Sequence, residues 1–451
     1  MSEDALLSQQ KVAPTYKNPF LWVPTSYFTM GLVYVTVGSV ANIMFLNLGM
    51  SNHQAALWSS LLGFPYTFKF LWAPLLELYR TKKFFVVLMQ FVLAGVVAAV
   101  GLGLRLPGQS YVLPTLILMA LAAIAGATQD IGSDGVYVTA LPSKEQARYT
   151  GFQSMCWNLG PILATGLLVR LSGTFHDKTG SWATAWMIIM LISAAIIFVM
   201  ALFHVRVLPT GSKAPEAPAS FGAAMKTFGD AFVTFFKKDG IWAMIAFAFF
   251  YRLGYGLLDK MGPAFIIDER AHGGLGLSNQ ALGDIIGTFG TGAFILGSLL
   301  GGLFVAAKGL RQSRMLLVLA LNIPNVTFLY LSQSMTSNQY LITAIVTIEK
   351  LGWGFGAVGH MLYMMQQIAP GPYKVSHYTF ATALMGLCMM VTGAVSGFIQ
   401  EAVGYQTFFV IVLVAAIPSI LATLFAPYPH PDGTVREVKK AEAEPKPIGA
   451  V

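Results

Sequence analysis

The chain has 451 residues, of which 55% are hydrophobic and only 11% are charged, whereas about 25% of residues are charged in an ordinary soluble domain. This composition excludes a soluble globular domain and indicates a membrane protein. The net charge of +8 does not indicate a nucleic-acid partner, because Lys and Arg cluster in short loops between apolar runs.

The apolar runs predict twelve transmembrane helices, at about 20 apolar residues for each crossing. Spans 1 to 6 lie near residues 21–48, 54–79, 84–105, 111–141, 146–172 and 183–208. Spans 7 to 12 lie near residues 240–267, 279–307, 312–333, 339–368, 375–401 and 405–427. Twenty of the 28 Lys and Arg residues fall in the termini and loops on one side of this arrangement, and four fall on the other. Positive residues concentrate on the cytoplasmic side, so both termini are predicted to be cytoplasmic.

The spans fall into two six-helix halves, residues 1–208 and 240–427, joined by a cytoplasmic linker at 209–239. The tail at 428–451 is rich in Pro, Lys and Glu and is predicted to be disordered.

A weak internal repeat supports this division. The offset between Tyr149 at the start of span 5 and Tyr378 at the start of span 11 also relates Lys82 to Arg311. Duplicated halves predict a substrate site between them, near the middle of the membrane.

The second part of the linker predicts an amphipathic helix on the cytoplasmic membrane surface. After Ser220, apolar residues follow at helical spacing, namely Phe221, Met225, Phe228, Phe232 and Phe235. The interpretation that the pattern favours is a plain amphipathic connector without any regulatory role.

Two carboxylates, Asp130 and Asp134, stand four residues apart in span 4, which places them on one face of a helix. A hydrocarbon interior tolerates an ionisable side chain only where it faces a partner or water, so both are functional candidates. Other charged residues lie at comparable depths and predict a central polar cavity, namely Lys69, Arg252, Asp259, Lys260, Glu349 and Lys350.

A carboxylate whose proton affinity depends on the distance of a cation is suited to proton coupling. The candidates for that role are Asp130, Asp134 and Glu349. The alternative, that the basic residues only neutralise carboxylates on neighbouring helices as packing ion pairs, stays open.

The predicted substrate-binding residues combine charges with aromatic and amide groups, as sugar sites do, although aromatic residues in spans also serve helix packing. They are Lys69, Gln129, Trp157, Asn158, Arg252, Tyr255, Asp259 and Lys350. The cytoplasmic ends of the spans carry a predicted gate, composed of Glu77, Arg80, Lys82, Arg148, Arg311, Lys374 and His377.

The run Gly354–Gly359 matches G-x-G-x-x-G but lies in an apolar span without a preceding strand, which argues against dinucleotide binding. We predict that these glycines serve either close helix packing or a flexible, broken span, and that Gly297 and Gly301 form a small-residue packing contact. The sequence has no phosphate-binding loop, no metal-ligand spacing and no nucleophile motif. We therefore expect no cofactor, no metal and no enzymatic activity.

Three segments resemble AmpG-type permeases of the major facilitator superfamily. They are Phe68–Leu75 in span 2, Gln129-Asp130 with Asp134 and Leu141-Pro142 in span 4, and Glu349 with its glycine-rich continuation in span 10. The resemblance implies a proton-driven importer of the bacterial inner membrane. Family members carry anhydro-muropeptides, in which N-acetylglucosamine is linked to anhydro-N-acetylmuramic acid. The resemblance also implies functional roles for Lys69, Gln129, Asp130, Asp134 and Glu349.

Two segments depart from the muropeptide permeases, Gly135–Thr139 after Asp134 and Lys374–Tyr378 before span 11. The sequence therefore predicts a monomeric importer that moves an amino-sugar-containing saccharide with protons. The first alternative is an importer of a glycan-derived mono- or disaccharide unrelated to cell-wall recycling. The second is a membrane-embedded sensor or enzyme.

Overall fold

The structure is a computed structural model that describes residues 17–73, 76, 81–107, 110–141, 149, 153, 155–211 and 221–430. In these residues the regular secondary structure is helical throughout, without strands. Nine described helices are long and apolar enough to cross a membrane: Pro19–Asn47, Lys82–Gly103, Val112–Tyr137, Trp182–Val207, Ile241–Ile267, Asn279–Lys308, Leu310–Ser334, Gln339–Ile368 and Ser376–Phe425.

The last of these helices contains two crossings, because Gly404 has φ 75° and ψ 166° and breaks it into spans 11 and 12. Span 2 is divided into Asn52–Leu61, Phe64–Phe68 and the 3-10 turn Lys69–Leu71. Span 5 continues through the π-helical segment Ile162–Leu168 into Val169–Thr179. The predicted all-α bundle of twelve helices in two groups of six is confirmed. The boundaries given above for the halves, linker and tail stay predictions, and residues 431–451 of the tail lie outside the described chain.

Polar residues at the helix starts explain where several spans begin. Ser51 forms a capping box with Gln54 at the start of span 2, and Thr81, Ser181 and Ser278 each accept a hydrogen bond from a backbone N–H of the first turn. Such caps satisfy N–H groups that have no partner within the helix.

The described chain begins at Lys17 and ends at His430 on the same side of the bundle, which we call the terminal end. Lys17 donates to the backbone oxygen of Leu208 after span 6, while Gln367 of span 10 donates to the backbone oxygen of His430. The other side, which carries the loops at 48–51, 268–278 and 335–338, is the opposite end.

The two halves are held together at the opposite end by polar contacts. The Asn52 amide in span 2 donates to Gln400 at 2.8 Å and to Tyr405 at 2.9 Å. The Asn279 amide in span 8 donates to Ser172 of span 5 at 2.9 Å. Further contacts across the halves are His53 with Glu401, Arg170 with Asp284, and Gln280 with Asp177. The opposite end is therefore closed in this conformation.

The halves approach each other closely between the π-helical segments of span 5 and span 8, Ile162–Leu168 and Gly283–Gly290. A Cβ atom placed on Gly287 would lie 2.2 Å from the backbone nitrogen of Gly166. Only a residue without a side chain fits here, so Gly287 sets how tightly the opposite end closes.

The glycines of spans 8 and 10 confirm the packing that the sequence predicts. A Cβ atom on Gly297 would lie 2.1 Å from the backbone oxygen of Leu351, and one on Gly354 would lie 2.1 Å from that of Phe294. The two backbones thus approach as closely as small residues permit.

The linker helix, Phe221–Phe236, is present where the sequence predicts it. Its apolar stripe is divided, because Phe235 is buried against Phe380 of span 11 whereas Phe232 is 48% exposed. His377 of span 11 contacts the backbone oxygen of Ala231 at 3.0 Å. The helix is therefore packed against the second half along one side, rather than resting on the membrane alone.

Candidate functional site

Lys69 and Asp130 form an ion pair between spans 2 and 4. Lys69 opens the 3-10 turn that ends the described part of span 2. Trp72, the residue directly after this turn, donates a hydrogen bond from its indole to Thr128 of span 4 at 3.2 Å, which holds the turn next to Asp130. The side chains keep 29% and 16% of their surface exposed, so the pair faces a space that water can enter.

Asp134 lies one helical turn beyond Asp130 and accepts a hydrogen bond of 2.8 Å from the Tyr27 hydroxyl of span 1. Lys69 is within electrostatic range of both carboxylates. Two carboxylates therefore share one ammonium group, and the cluster carries one uncompensated negative charge when all three groups are ionised. Binding one proton removes that charge.

The second half contributes an ion pair between neighbours in sequence. The Glu349 carboxylate is fully buried and lies 3.1 Å from the Lys350 amine. That amine also lies over the rings of Tyr255 and Trp353, 5.1 and 5.4 Å from their centroids. The two rings stack on each other at 4.2 Å, which gives this side of the bundle a flat aromatic surface.

Asp259 and Lys260 form the other ion pair of span 7, with 3.7 Å between their charged atoms. Lys260 is buried, and its backbone oxygen accepts a hydrogen bond from Asn42 of span 1. Asp259 keeps 28% of its side chain exposed, so the carboxylate is the more accessible member of this pair.

Arg252 lies where span 7 is interrupted between the helical segments Ile241–Phe250 and Leu253–Ile267. Its φ of −108° and ψ of 17° are not helical. Glu349, which the sequence places at a comparable depth, forms its ion pair with Lys350 and not with Arg252.

Charged groups from both halves surround the hydroxyls of Tyr34 and Tyr378. The Tyr34 hydroxyl of span 1 is within electrostatic range of charged groups of both halves, namely Lys69, Asp130, Arg252 and Asp259. The Tyr378 hydroxyl of span 11 is in range of Lys69, Asp134 and Arg252. Tyr34 is 47% exposed although it stands among these charges, so it faces an open space between the halves.

The remaining predicted substrate-binding residues are Gln129, Trp157 and Asn158. Gln129 is fully buried, and its amide atoms have no hydrogen-bond partner in the described chain, so it does not line the cavity in this conformation. The Trp157 ring lies 5.9 Å from that of Tyr34, and Asn158 is half-buried beside it. The sequence did not lead us to predict Tyr27, Tyr34 and Tyr378 as site residues. They could have been identified as residues that carry a hydroxyl group at the same depth in the membrane as the charged residues.

The predicted gate is only partly described. Glu77, Arg80 and Arg148 lie outside the described residues. Lys82 is buried and donates to the backbone oxygen of Leu76, and Arg311 stands in the first turn of span 9. Lys374 is exposed, while His377 holds the linker helix. In the described residues no group of three or more His, Cys, Asp or Glu is arranged to hold a metal ion.

Because Lys69 lies near both Asp130 and Asp134, we expect substitutions of Lys69 and of Asp130 to destabilise the folded protein by different amounts. Lys69→Met leaves two carboxylates without a cation, whereas Asp130→Asn leaves Lys69 in range of Asp134. We expect Lys69→Met to destabilise the folded protein by roughly 1 to 3 kcal/mol, between the costs for exposed and buried pairs, and Asp130→Asn by less. Thermal unfolding of the purified variants measures this difference. Equal losses for both variants would show that Asp134 does not share Lys69.

Comparisons with known proteins agree with the fold. The model of the Major Facilitator Superfamily matches residues 25–396. The chain is 26% identical over 374 residues to the anhydromuropeptide permease of Escherichia coli strain K12, covering 81% of this chain and 71% of the relative.

Two solved structures have the same fold. The nucleoside transporter NupG has a TM-score of 0.67 and 15% identity, covering 90% of this chain and 97% of its own. The D-xylose-proton symporter has a TM-score of 0.67 and 12% identity, covering 92% and 97%. The chain is thus a multi-pass membrane transporter related to the anhydromuropeptide permease, and it belongs to the major facilitator superfamily.

Proposed function

We propose that this chain is a proton-coupled secondary transporter that imports an amino-sugar-containing saccharide, such as an anhydro-muropeptide, across the bacterial inner membrane. The observation that carries the proposal is the cluster of Lys69, Asp130 and Asp134, with two carboxylates for one ammonium at the cavity between the halves. The relationship to the anhydromuropeptide permease supports the substrate class.

In the proposed cycle the halves rock about the cavity, and the cluster is exposed to one side of the membrane at a time. When it faces the periplasm, one proton binds and neutralises its extra negative charge. While the halves change between their two open conformations, the cluster is enclosed in a low-dielectric environment. Enclosing it costs less free energy when it is neutral than when it is charged. Release of the proton on the cytoplasmic side then couples the movement of the proton to that of the substrate. Proton and substrate shift the conformational equilibrium only by their different affinities for the two states.

The proposed orientation places the terminal end, and with it both chain termini, in the cytoplasm. The excess of Lys and Arg at that end supports it. In this orientation the conformation described above is closed toward the periplasm.

Uptake by the purified full-length chain in proteoliposomes tests the proposal. With a proton gradient directed inward, we expect accumulation of radiolabelled N-acetylglucosaminyl-anhydro-N-acetylmuramic acid, and much less of D-xylose or glucose. Collapsing the gradient with a protonophore should abolish accumulation. Uptake of the simple sugars alone would favour a transporter unrelated to cell-wall recycling, and uptake that ignores the protonophore would contradict proton coupling.

A further inference from the structure

One cation of the second half, Arg252, has no partner among the residues that the structure describes. The Nε atom of Arg252 is fully buried and makes no hydrogen bond, and no carboxylate of the described chain lies within 4.0 Å of the guanidinium. A guanidinium does not lose its charge in a protein, so Arg252 cannot become neutral to relieve its burial.

Among the described residues near the cavity, the other charged side chains neutralise one another in ion pairs, except for Asp134. Three cations are paired, Lys69 with Asp130, Lys260 with Asp259, and Lys350 with Glu349. Asp134 remains on the first half, held by Tyr27, and Arg252 remains on the second. Once Asp134 takes up a proton, the cavity keeps a single uncompensated positive charge at Arg252.

The surroundings of Arg252 supply hydroxyl groups and ring faces rather than a counter-charge. The hydroxyls of Tyr34, Tyr251 and Tyr255 are within its electrostatic range, as is that of Tyr378. Tyrosine rings bind sugars through their faces, and a guanidinium binds a carboxylate through two parallel hydrogen bonds. Span 7 is interrupted at Arg252, so the guanidinium lies near the middle of that span.

We propose that Arg252 binds a carboxylate of the transported saccharide, so that the substrate supplies the anion missing from the cavity. A single positive charge matches a carboxylate better than a phosphate monoester, which carries a charge of about −1.5 to −2 at neutral pH. This inference rests on the proposed function and narrows it to acidic saccharides.

The test compares two ligands that differ only in this charge, N-acetylglucosaminyl-anhydro-N-acetylmuramic acid and its carboxyl methyl ester. Binding to the purified full-length protein is measured by isothermal titration calorimetry. We expect the wild type to bind the acid about 10- to 100-fold more tightly than the ester. Arg252→Gln should lose that preference without changing its affinity for the ester by more than about twofold.

Two further variants separate a contact from a general effect of charge or folding. Arg252→Lys keeps the positive charge and should retain part of the preference for the acid. Arg105→Gln removes a positive charge from an exposed position at the opposite end and should bind both ligands as the wild type does.

Equal binding of acid and ester by the wild type would overturn the inference while leaving a saccharide transporter in place. The same conclusion would follow if Arg252→Gln kept the full preference for the acid. Binding of neither form, together with proton-driven uptake of a neutral sugar, would overturn both the inference and the proposed substrate class.

Discussion

An Asp134→Asn variant is expected to lose proton-driven accumulation of substrate while still equilibrating it across the membrane. With the amide in place, Lys69 and Asp130 form a neutral pair, and no extra negative charge is left to take up a proton. A pH difference of two units supports about 100-fold accumulation for one proton per substrate, since each unit is worth about 1.4 kcal/mol. The variant should therefore fall from that ratio to about one. Radiolabel uptake in proteoliposomes with an imposed pH gradient measures it.

Two variants accompany this measurement. Asp130→Asn also leaves one carboxylate for one ammonium, so it should lose accumulation to the same extent. Asp239→Asn changes an exposed carboxylate of the loop before span 7 and should accumulate substrate normally. Full proton-dependent uptake by both Asp134→Asn and Asp130→Asn would remove the cluster from the mechanism.

A Gly287→Ala variant is expected to resist closure of the opposite end. The new methyl group would lie 2.2 Å from the backbone nitrogen of Gly166, so spans 5 and 8 must separate before the side chain fits. Overpacking costs about 1 to 3 kcal/mol, which shifts the equilibrium toward the state open at this end by roughly 5- to 150-fold. Substrate uptake should fall because the variant rarely reaches the conformation described here.

Labelling of a cysteine introduced at Ser172 reports on this equilibrium. Ser172 is fully buried where the halves meet at the opposite end, and the native Cys156 and Cys388 are also buried. We expect a membrane-impermeant maleimide to label Ser172→Cys faster when Gly287→Ala is also present. The matched control is Gly292→Ala, where the added Cβ has open space around it. Equal labelling in both backgrounds would contradict the role of Gly287.

Much of this architecture could be predicted from the sequence, because apolar length and the distribution of Lys and Arg are set by the bilayer. The four-residue spacing of Asp130 and Asp134 also suffices to place them on one face, since helix geometry is regular. The glycines of spans 8 and 10 predict close packing for a similar reason, because only small side chains let two backbones approach.

The partners of the charged residues could not be predicted. Asp134 is held by Tyr27 from another span, Glu349 pairs with its own neighbour Lys350, and Arg252 has no carboxylate partner in the described part of the chain. These outcomes depend on how each helix is rotated about its axis and on long, flexible side chains. Charges at comparable depth show that a cavity exists, but only the packed structure shows which charge lacks a partner.

The most direct test of the central claim is the number of protons that enter with each substrate molecule. Proteoliposomes that enclose a pH-sensitive dye receive an inward substrate gradient without any pH gradient. We expect the interior to acidify by about one proton per substrate in the wild type, because one uncompensated charge needs neutralising, and we expect no acidification with Asp134→Asn. Substrate entry without acidification in the wild type, or equal acidification in the variant, would contradict the claim.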